Sequence, residues 1–385
     1  MKFAGIAFSV RPRAVVAELA DALDSKSSAR KGVWVRLPPT APVFSTVRKL
    51  ASILAVFLAL CVTGAAEETG EVAAAESDAP GAKFFKAGLA VLKEANDIKS
   101  ADERIARYRD ALAQFDAAVA ERKDFYFAHA SAAHCLMQIT ALTTNAPAHQ
   151  ELFAQAIRRC ETASQYPGVE TRLFGSWASF LITESGRLPD AAKRRAMIEQ
   201  AVKILENGQR LADTRVERLR LEYQFGRAKF FLAQVSDNRP ERRALYESAR
   251  DHFQAASEID SIAKLPALYS AWGLDLLELS RLCNDPMLLR QAIERLQTSL
   301  EKDPSNVTVR YNIVCAYALM GQTENAMRHL QFCLDHDDAK RTYFNAAQQD
   351  PDLDSLRATP EYNKIFDAAT ARPLYPFEKP TFSDR

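Results

Sequence analysis

Residues 307–337 read VTVRYNIVCAYALMGQTENAMRHLQFCLDHD, and the spacing within this stretch decides the fold. Ala326 is followed four residues later by Leu330 and three residues after that by Cys333. Offsets of four and seven return a side chain to the same stripe of an α-helix. A stripe that is small, then large, then small lets a neighbouring helix approach closely. This stretch therefore predicts a helix that must pack against others.

The same triplet of small, large and small residues occurs six times along the chain. The triplets are Ala111/Phe115/Ala118, Ala156/Cys160/Ala163, Ala201/Leu205/Gly208, Ala249/Phe253/Ala256, Ala292/Leu296/Ser299 and Ala326/Leu330/Cys333. Their first alanines are 45, 45, 48, 43 and 34 residues apart. Units of this length, each of which needs a neighbour to bury one face, are typical of stacked helical hairpins. The chain has only 13 glycines and no long period-two alternation, so the sequence predicts an all-α fold.

The last unit resembles the tetratricopeptide repeat family. Four residues fall where the family pattern has an aromatic residue, a turn glycine, its signature alanine and a large apolar residue: Tyr317, Gly321, Ala326 and Leu330. Residues 285–338 resemble the family closely, and residues 83–284 resemble a variant with longer helices. The resemblance implies a tetratricopeptide-like α-solenoid of about six helical hairpins. It also implies a C-terminal capping segment like the one that ends some arrays of this family.

The sequence also predicts how the chain is divided. The predicted segments are a spurious N-terminal extension (1–42), a signal peptide (43–66), a disordered linker (67–82), helical repeats (83–337), a capping segment (338–370) and a C-terminal tail (371–385). Within the capping segment we expect helices at 339–348 and 360–369. Stop signals such as Asn284-Asp285-Pro286 place repeat helices at 266–283 and 286–301.

The predicted signal peptide contains an apolar run, Leu50–Val62, that is too short for the roughly 20 residues of a membrane-spanning helix. Basic residues precede this run, and Ala65 and Ala66 suit cleavage by a signal peptidase. A buried helix is one alternative. A lipoprotein processed at Cys61 is another, which Leu60 disfavours because lipidation signals take a small residue at that place. We therefore expect a periplasmic or secreted protein with no membrane span in the mature chain.

The residues before the signal peptide predict a misassigned start. Residues 15–42, VVAELADALDSKSSARKGVWVRLPPTAP, resemble the conceptual translation of a bacterial leucine transfer-RNA gene. We expect translation to begin near Val43, and residues 1–42 to be absent from the natural protein.

Charge and motif content exclude several function classes. Residues 1–66 hold nine of the 50 Lys and Arg residues and three of the 49 Asp and Glu residues, which leaves 41 basic residues against 46 acidic ones. A mildly acidic body without a basic stripe argues against a nucleic-acid partner. The sequence has no HExxH, CxxC, Gly-x-Ser-x-Gly or Walker motif, so we predict no catalytic residue, no cofactor, no metal site and no enzyme activity.

Five cysteines follow the predicted cleavage site: Cys135, Cys160, Cys283, Cys315 and Cys333. Cys160 and Cys333 are members of the triplets, so burial as small apolar side chains is the favoured interpretation. The alternative is a single fortuitous disulfide.

The tetratricopeptide resemblance implies that the first helix of each hairpin lines a concave groove for a protein or peptide. Asn312 is the most specific candidate, because an amide can donate to and accept from an extended peptide backbone at once. The other candidates are Thr308, Arg310, Tyr311, Tyr223, Arg227, Tyr269 and Trp272. For the aromatic residues, packing between helices is the alternative. For Asn312 the alternative is a hydrogen bond within the stack.

Two functions remain open at this point. The first is an exported scaffold or adaptor for protein partners in the bacterial cell envelope. The second is a periplasmic ligand-handling accessory protein of a solute transporter, because the longer first repeats could enclose a cavity. The sequence does not predict the oligomeric state.

Overall fold

The computed structural model describes residues 78–166, 168–259, 265–337 and 341–371, and these residues form helices and no strand. The helices are α1 Ala82–Asp97, α2 Ala101–Glu121, α3 Tyr126–Leu142, α4 Ala146–Ala163, α5 Thr171–Ser185, α6 Ala191–Gln209, α7 Arg215–Val235, α8 Arg239–Ile259, α9 Pro266–Cys283, α10 Pro286–Lys302, α11 Val307–Leu319, α12 Thr323–Asp335, α13 Thr342–Gln349, α14 Asp354–Arg357 and α15 Pro360–Ala371. A 3₁₀-helix, Pro351–Leu353, precedes α14. The predicted segments 1–42 and 43–66, most of the linker and the tail beyond Ala371 lie outside the described residues.

The first twelve helices form six consecutive hairpins, as predicted. The triplets lie on the second helix of each hairpin, and all of their residues are buried. The prediction that each triplet is a packing face is therefore confirmed, and so is the all-α repeat fold.

In three hairpins the large residue of the triplet packs against a glycine of the first helix. The pairs are Gly88 with Phe115, Gly226 with Phe253, and Gly273 with Leu296. A Cβ atom added at any of these glycines would lie 2.6 Å from the facing side chain. The two helices can approach this closely because the glycine has no side chain.

The described residues divide into two compact units, 78–224 and 225–371, with the division inside α7. In the first unit each helix from α1 to α5 packs against the next one along the chain. Its N-terminal part is built on Phe85, whose ring centroid lies 5.7 Å from that of Phe115 and 5.0 Å from that of Phe125. Aromatic packing of this kind joins the first hairpin to the start of the second.

The N-terminus of α7 has a capping box, formed by Thr214 and Glu217. The backbone N–H of Glu217 donates to Thr214 Oγ1 at 3.2 Å, and the backbone N–H of Thr214 donates to Glu217 Oε2 at 2.9 Å. This reciprocal arrangement satisfies backbone donors that a helix start leaves unpaired. Glu217 Oε1 also accepts from Thr171 Oγ1 at 2.8 Å, which ties the start of α7 to the start of α5. Although burial raises the pKa of Glu217, these hydrogen bonds from Thr214, Thr171 and Asp213 outweigh it and lower the pKa below the ordinary value.

The second unit contains the end of α7, helices α8 to α12 and the C-terminal segment. Here α8 packs on α9, α9 on α10, α10 on α11, and α11 on α12. The C-terminal segment packs on α11 through the 3₁₀-helix and on α12 through α15. Its own core is the ring of Phe366, which lies 4.8 Å from Phe344 and 4.3 Å from Tyr362 between ring centroids.

The observed helix boundaries lie close to the predicted ones. The predicted helix 266–283 coincides with α9, and 286–301 is one residue shorter than α10. Helix α1 begins at Ala82, which the prediction assigned to the linker. The prediction also missed the 3₁₀-helix and α14, which lie between the predicted helices 339–348 and 360–369.

The five cysteines that follow the predicted cleavage site are free thiols, and four of them are buried. The disulfide alternative therefore does not hold for this structure. Within the described residues, no helix has both the length and the apolar character that a membrane crossing requires.

Candidate partner-binding surface

The most specific candidates lie in the first two turns of α11. Asn306 caps the start of α11, and its Oδ1 accepts the backbone N–H of Val309 at 3.0 Å. This cap fixes the start of the helix, and with it the faces on which Thr308, Arg310, Tyr311 and Asn312 lie.

Tyr311 packs inside the second unit. Its side chain is buried, and its hydroxyl donates to Asp350 Oδ2 at 3.2 Å. Burial, followed by the nearby Cys315 and Asp350, raises the pKa of Tyr311 well above its ordinary value. The structure therefore places Tyr311 between α11 and the C-terminal segment, which matches the packing alternative.

Thr308 and Arg310 also have partners within the chain. Thr308 Oγ1 lies 2.5 Å from the hydroxyl of Tyr343. The guanidinium of Arg310 donates to the carbonyl of Pro304 at 3.1 and 2.7 Å, and it lies 4.0 Å from the centre of the Phe332 ring. A docking partner would have to displace or share these contacts.

Asn312 differs from these three neighbours. It is 3% exposed, and we find no hydrogen-bond partner for its amide among the described residues. Buried amides are nearly always hydrogen-bonded in folded proteins. The amide of Asn312 therefore retains donor and acceptor capacity that the described residues do not use.

Two aromatic candidates, Tyr269 and Trp272, lie on α9 and are buried. The guanidinium carbon of Arg295, on α10, lies 4.1 Å from the centre of the Trp272 ring. The indole Nε1 of Trp272 is buried without a hydrogen-bond partner in the described part of the chain. The stacking with Arg295 indicates that Trp272 contributes mainly to the packing of its own hairpin.

The last two candidates lie on α7. Tyr223 is partly exposed, whereas Arg227 is buried. They fall on opposite sides of the division between the two units. Of the eight candidates, the structure thus brings four together on α11 and two on α9.

One group of side chains has donor types that metals use. Cys315, Asp350 and Asp352 place possible ligand atoms within 4.8 Å of one another. However, Asp350 Oδ2 already accepts from Tyr311 and from the Cys315 thiol, and Asp352 is paired with Arg281. Hydrogen bonds and an ion pair within the protein account for this group, so we assign no metal to it.

Sequence reasoning missed Asp275, the only charged residue between Pro266 and Leu277 of α9. It is fully buried, and neither carboxyl oxygen has a hydrogen-bond partner within the described residues. An acid within the otherwise uncharged stretch PALYSAWGLDLL of α9 was the signal that could have identified it.

Comparison with known proteins assigns no family to this chain. No family model matches the chain, and no curated protein matches it. A chain in the crystal structure of the APC/C hetero-tetramer Cut9-Hcn1 is similar to this one, with 13% identity and a TM-score of 0.43. The match covers 93% of this chain and 52% of the other, so this chain spans about half the length of that one. The fold assignment rests on the six hairpins and their buried triplets.

Proposed function

We propose that this chain is an exported scaffold that binds a protein partner in the bacterial cell envelope. The observation that carries the proposal is Asn312, a first-helix residue that is 3% exposed and for whose amide no hydrogen-bond partner is found among the described residues. An extended peptide segment offers alternating N–H and C=O groups, which such an amide can bind at once. The hairpin of α11 and α12 supplies the helical support for it.

The binding test is substitution of Asn312 by alanine in the full chain. Peptides are first selected from a random displayed library against the wild type, and their affinities are then measured by calorimetry. We expect Asn312→Ala to weaken binding about tenfold, because a lost hydrogen bond to a desolvated group costs roughly 1 to 2 kcal/mol.

The matched control is Asn325→Ala on α12, the second helix of the same hairpin. The Asn325 amide lies at the surface and donates to Gln322 Oε1 at 2.9 Å. This variant should bind the selected peptides as the wild type does. Equal affinities for the wild type and Asn312→Ala would contradict the proposal.

The second candidate function, a ligand-handling accessory protein of a transporter, draws support from helix length. Helices α1 to α10 have 15 to 21 residues, whereas α11 and α12 have 13 each. Longer helices can enclose a pocket between them. This function is favoured if the chain yields no peptide binder but retains a small molecule through purification from envelope fractions.

A further inference from the structure

Asp275 lies where an ionised carboxylate is difficult to accommodate. Its side chain has no exposed surface, and both carboxyl oxygens lack a hydrogen-bond partner in the described part of the chain. Moving a charge out of water without a partner is strongly unfavourable, and a buried carboxyl group avoids that cost by keeping its proton. The feature is independent of the proposed binding function.

The groups around Asp275 do not compensate for this burial. Helix α8 contributes Arg250 and Asp251, and α9 itself contributes Glu278. The Arg250 guanidinium is already engaged with Asp251 Oδ1, at 3.1 and 2.9 Å. Burial raises the pKa of Asp275 well above its ordinary value, Arg250 lowers it, and Glu278 and Asp251 raise it further.

Tyr246 and Arg281 lie in the same region. The Tyr246 hydroxyl on α8 accepts from Gln234 Nε2 at 2.6 Å, and burial, followed by the charge of Glu278, raises the pKa of Tyr246. Glu278 is paired with Arg281 at 2.5 Å. The nearby cations Arg250 and Arg281 therefore already hold other carboxylates.

We propose that the junction between α8 and α9, formed by Tyr246, Arg250, Asp251, Asp275 and Glu278, is a proton-dependent latch. The junction is closed while Asp275 holds its proton, and loss of that proton to solvent favours the open state. In the open state Asp275 reaches water, where a carboxyl group titrates near pH 4. Above that pH the closed state binds one more proton than the open state. Rising pH therefore lowers the ratio of closed to open protein about tenfold per pH unit, up to the pKa of Asp275 in the closed state.

The test is amide hydrogen exchange of the full chain, measured by mass spectrometry between pH 5 and 9 for the wild type and Asp275→Asn. At each pH the wild-type rate in α8 and α9 is divided by the rate in the variant, which cancels the chemical dependence of exchange on pH. We expect this ratio to rise about tenfold per pH unit within the titration window. Helix α5, in the other unit, is the internal reference and should show a constant ratio.

The matched control is Glu247→Gln on α8, which removes a carboxylate that is 37% exposed and paired with Arg243 rather than with the latch residues. For this variant, the ratio of the wild-type exchange rate to the variant rate in α8 and α9 should not rise steeply with pH. A flat ratio for Asp275→Asn across the whole range would overturn the proposal.

A second measurement covers the case in which Asp275→Asn does not fold. Infrared spectra of the wild type should contain the carbonyl stretch of a protonated carboxylic acid at neutral pH, and this band should disappear as α8 and α9 lose protection. Absence of that band from the folded protein at pH 5 to 7 would overturn the latch.

Discussion

Ala249 illustrates how much a single residue controls in this fold. It lies on α8 in a buried stripe with Tyr246, Phe253 and Ala256, and it has no exposed surface. Protein interiors are packed as densely as organic crystals, so a larger side chain has no free volume to enter. The small residues of the triplets therefore set how closely the helices approach.

We expect Ala249→Leu to lower the free energy of unfolding by about 1 to 3 kcal/mol, because it overpacks a filled interior. The measurement is urea denaturation monitored by circular dichroism. The control is Ala244→Leu on the same helix, where the alanine is exposed and the change should be close to neutral. Equal stability of the two variants would mean that the triplet alanines do not determine packing.

The buried residues of some helices can be predicted from the sequence better than those of others. Second helices such as α8 and α12 are apolar on one stripe and polar elsewhere, so their buried residues could be predicted from spacing. First helices such as α3 and α9 are buried around most of their circumference, and their apolar residues do not mark one face. For that reason the sequence could not decide whether Tyr311 or Trp272 faces a groove or a neighbouring helix.

Charge placement was equally hard to predict. The sequence assigned the acidic run Asp350–Asp354 only to the capping segment and did not predict partners for its carboxylates. In the structure Asp350 accepts from Tyr311, and Asp352 pairs with Arg281, 71 residues away. Contacts between residues so distant in sequence depend on the stacking of the hairpins, which one sequence does not specify.

The approach of α9 to α10 gives a prediction for Gly273. Alanine ordinarily stabilises a helix interior by about 1 kcal/mol relative to glycine. At Gly273, however, the added methyl group would lie 2.6 Å from Leu296 Cγ and 3.1 Å from the carbonyl oxygen of Ala292. We expect Gly273→Ala to lower the free energy of unfolding by about 1 to 2 kcal/mol, since overpacking exceeds the gain in propensity.

Gly175→Ala is the matched control, measured by the same urea titration. Gly175 lies inside α5, and a Cβ atom added there meets nothing within 4 Å. This variant should be more stable than the wild type by roughly 0.5 to 1 kcal/mol. Stabilisation by both substitutions would contradict the close approach at Gly273.

At the scale of the whole molecule, the proposed scaffold depends on export. We expect mass spectrometry of the native protein to find a mature N-terminus after Ala65 or Ala66, and no peptide from residues 1–42. The physical reason is the short apolar run at Leu50–Val62, which fits a cleaved leader better than a membrane anchor. Tryptic peptides that contain Trp34 would contradict the predicted start. A mature protein recovered only from the cytosol would contradict export.

The pairing of Arg281 with Asp352 connects two parts of the second unit that are distant in sequence. Arg281 belongs to α9, and its partner follows the hairpin of α11 and α12, so the pair spans one complete repeat. If a further 34-residue repeat were duplicated after α10, Asp352 would move one hairpin away and leave the guanidinium without that carboxylate. Arg281 would then keep only its contact with Glu278. The ion pair thus joins α9 to the segment that follows the next complete hairpin, and an inserted repeat would break that connection.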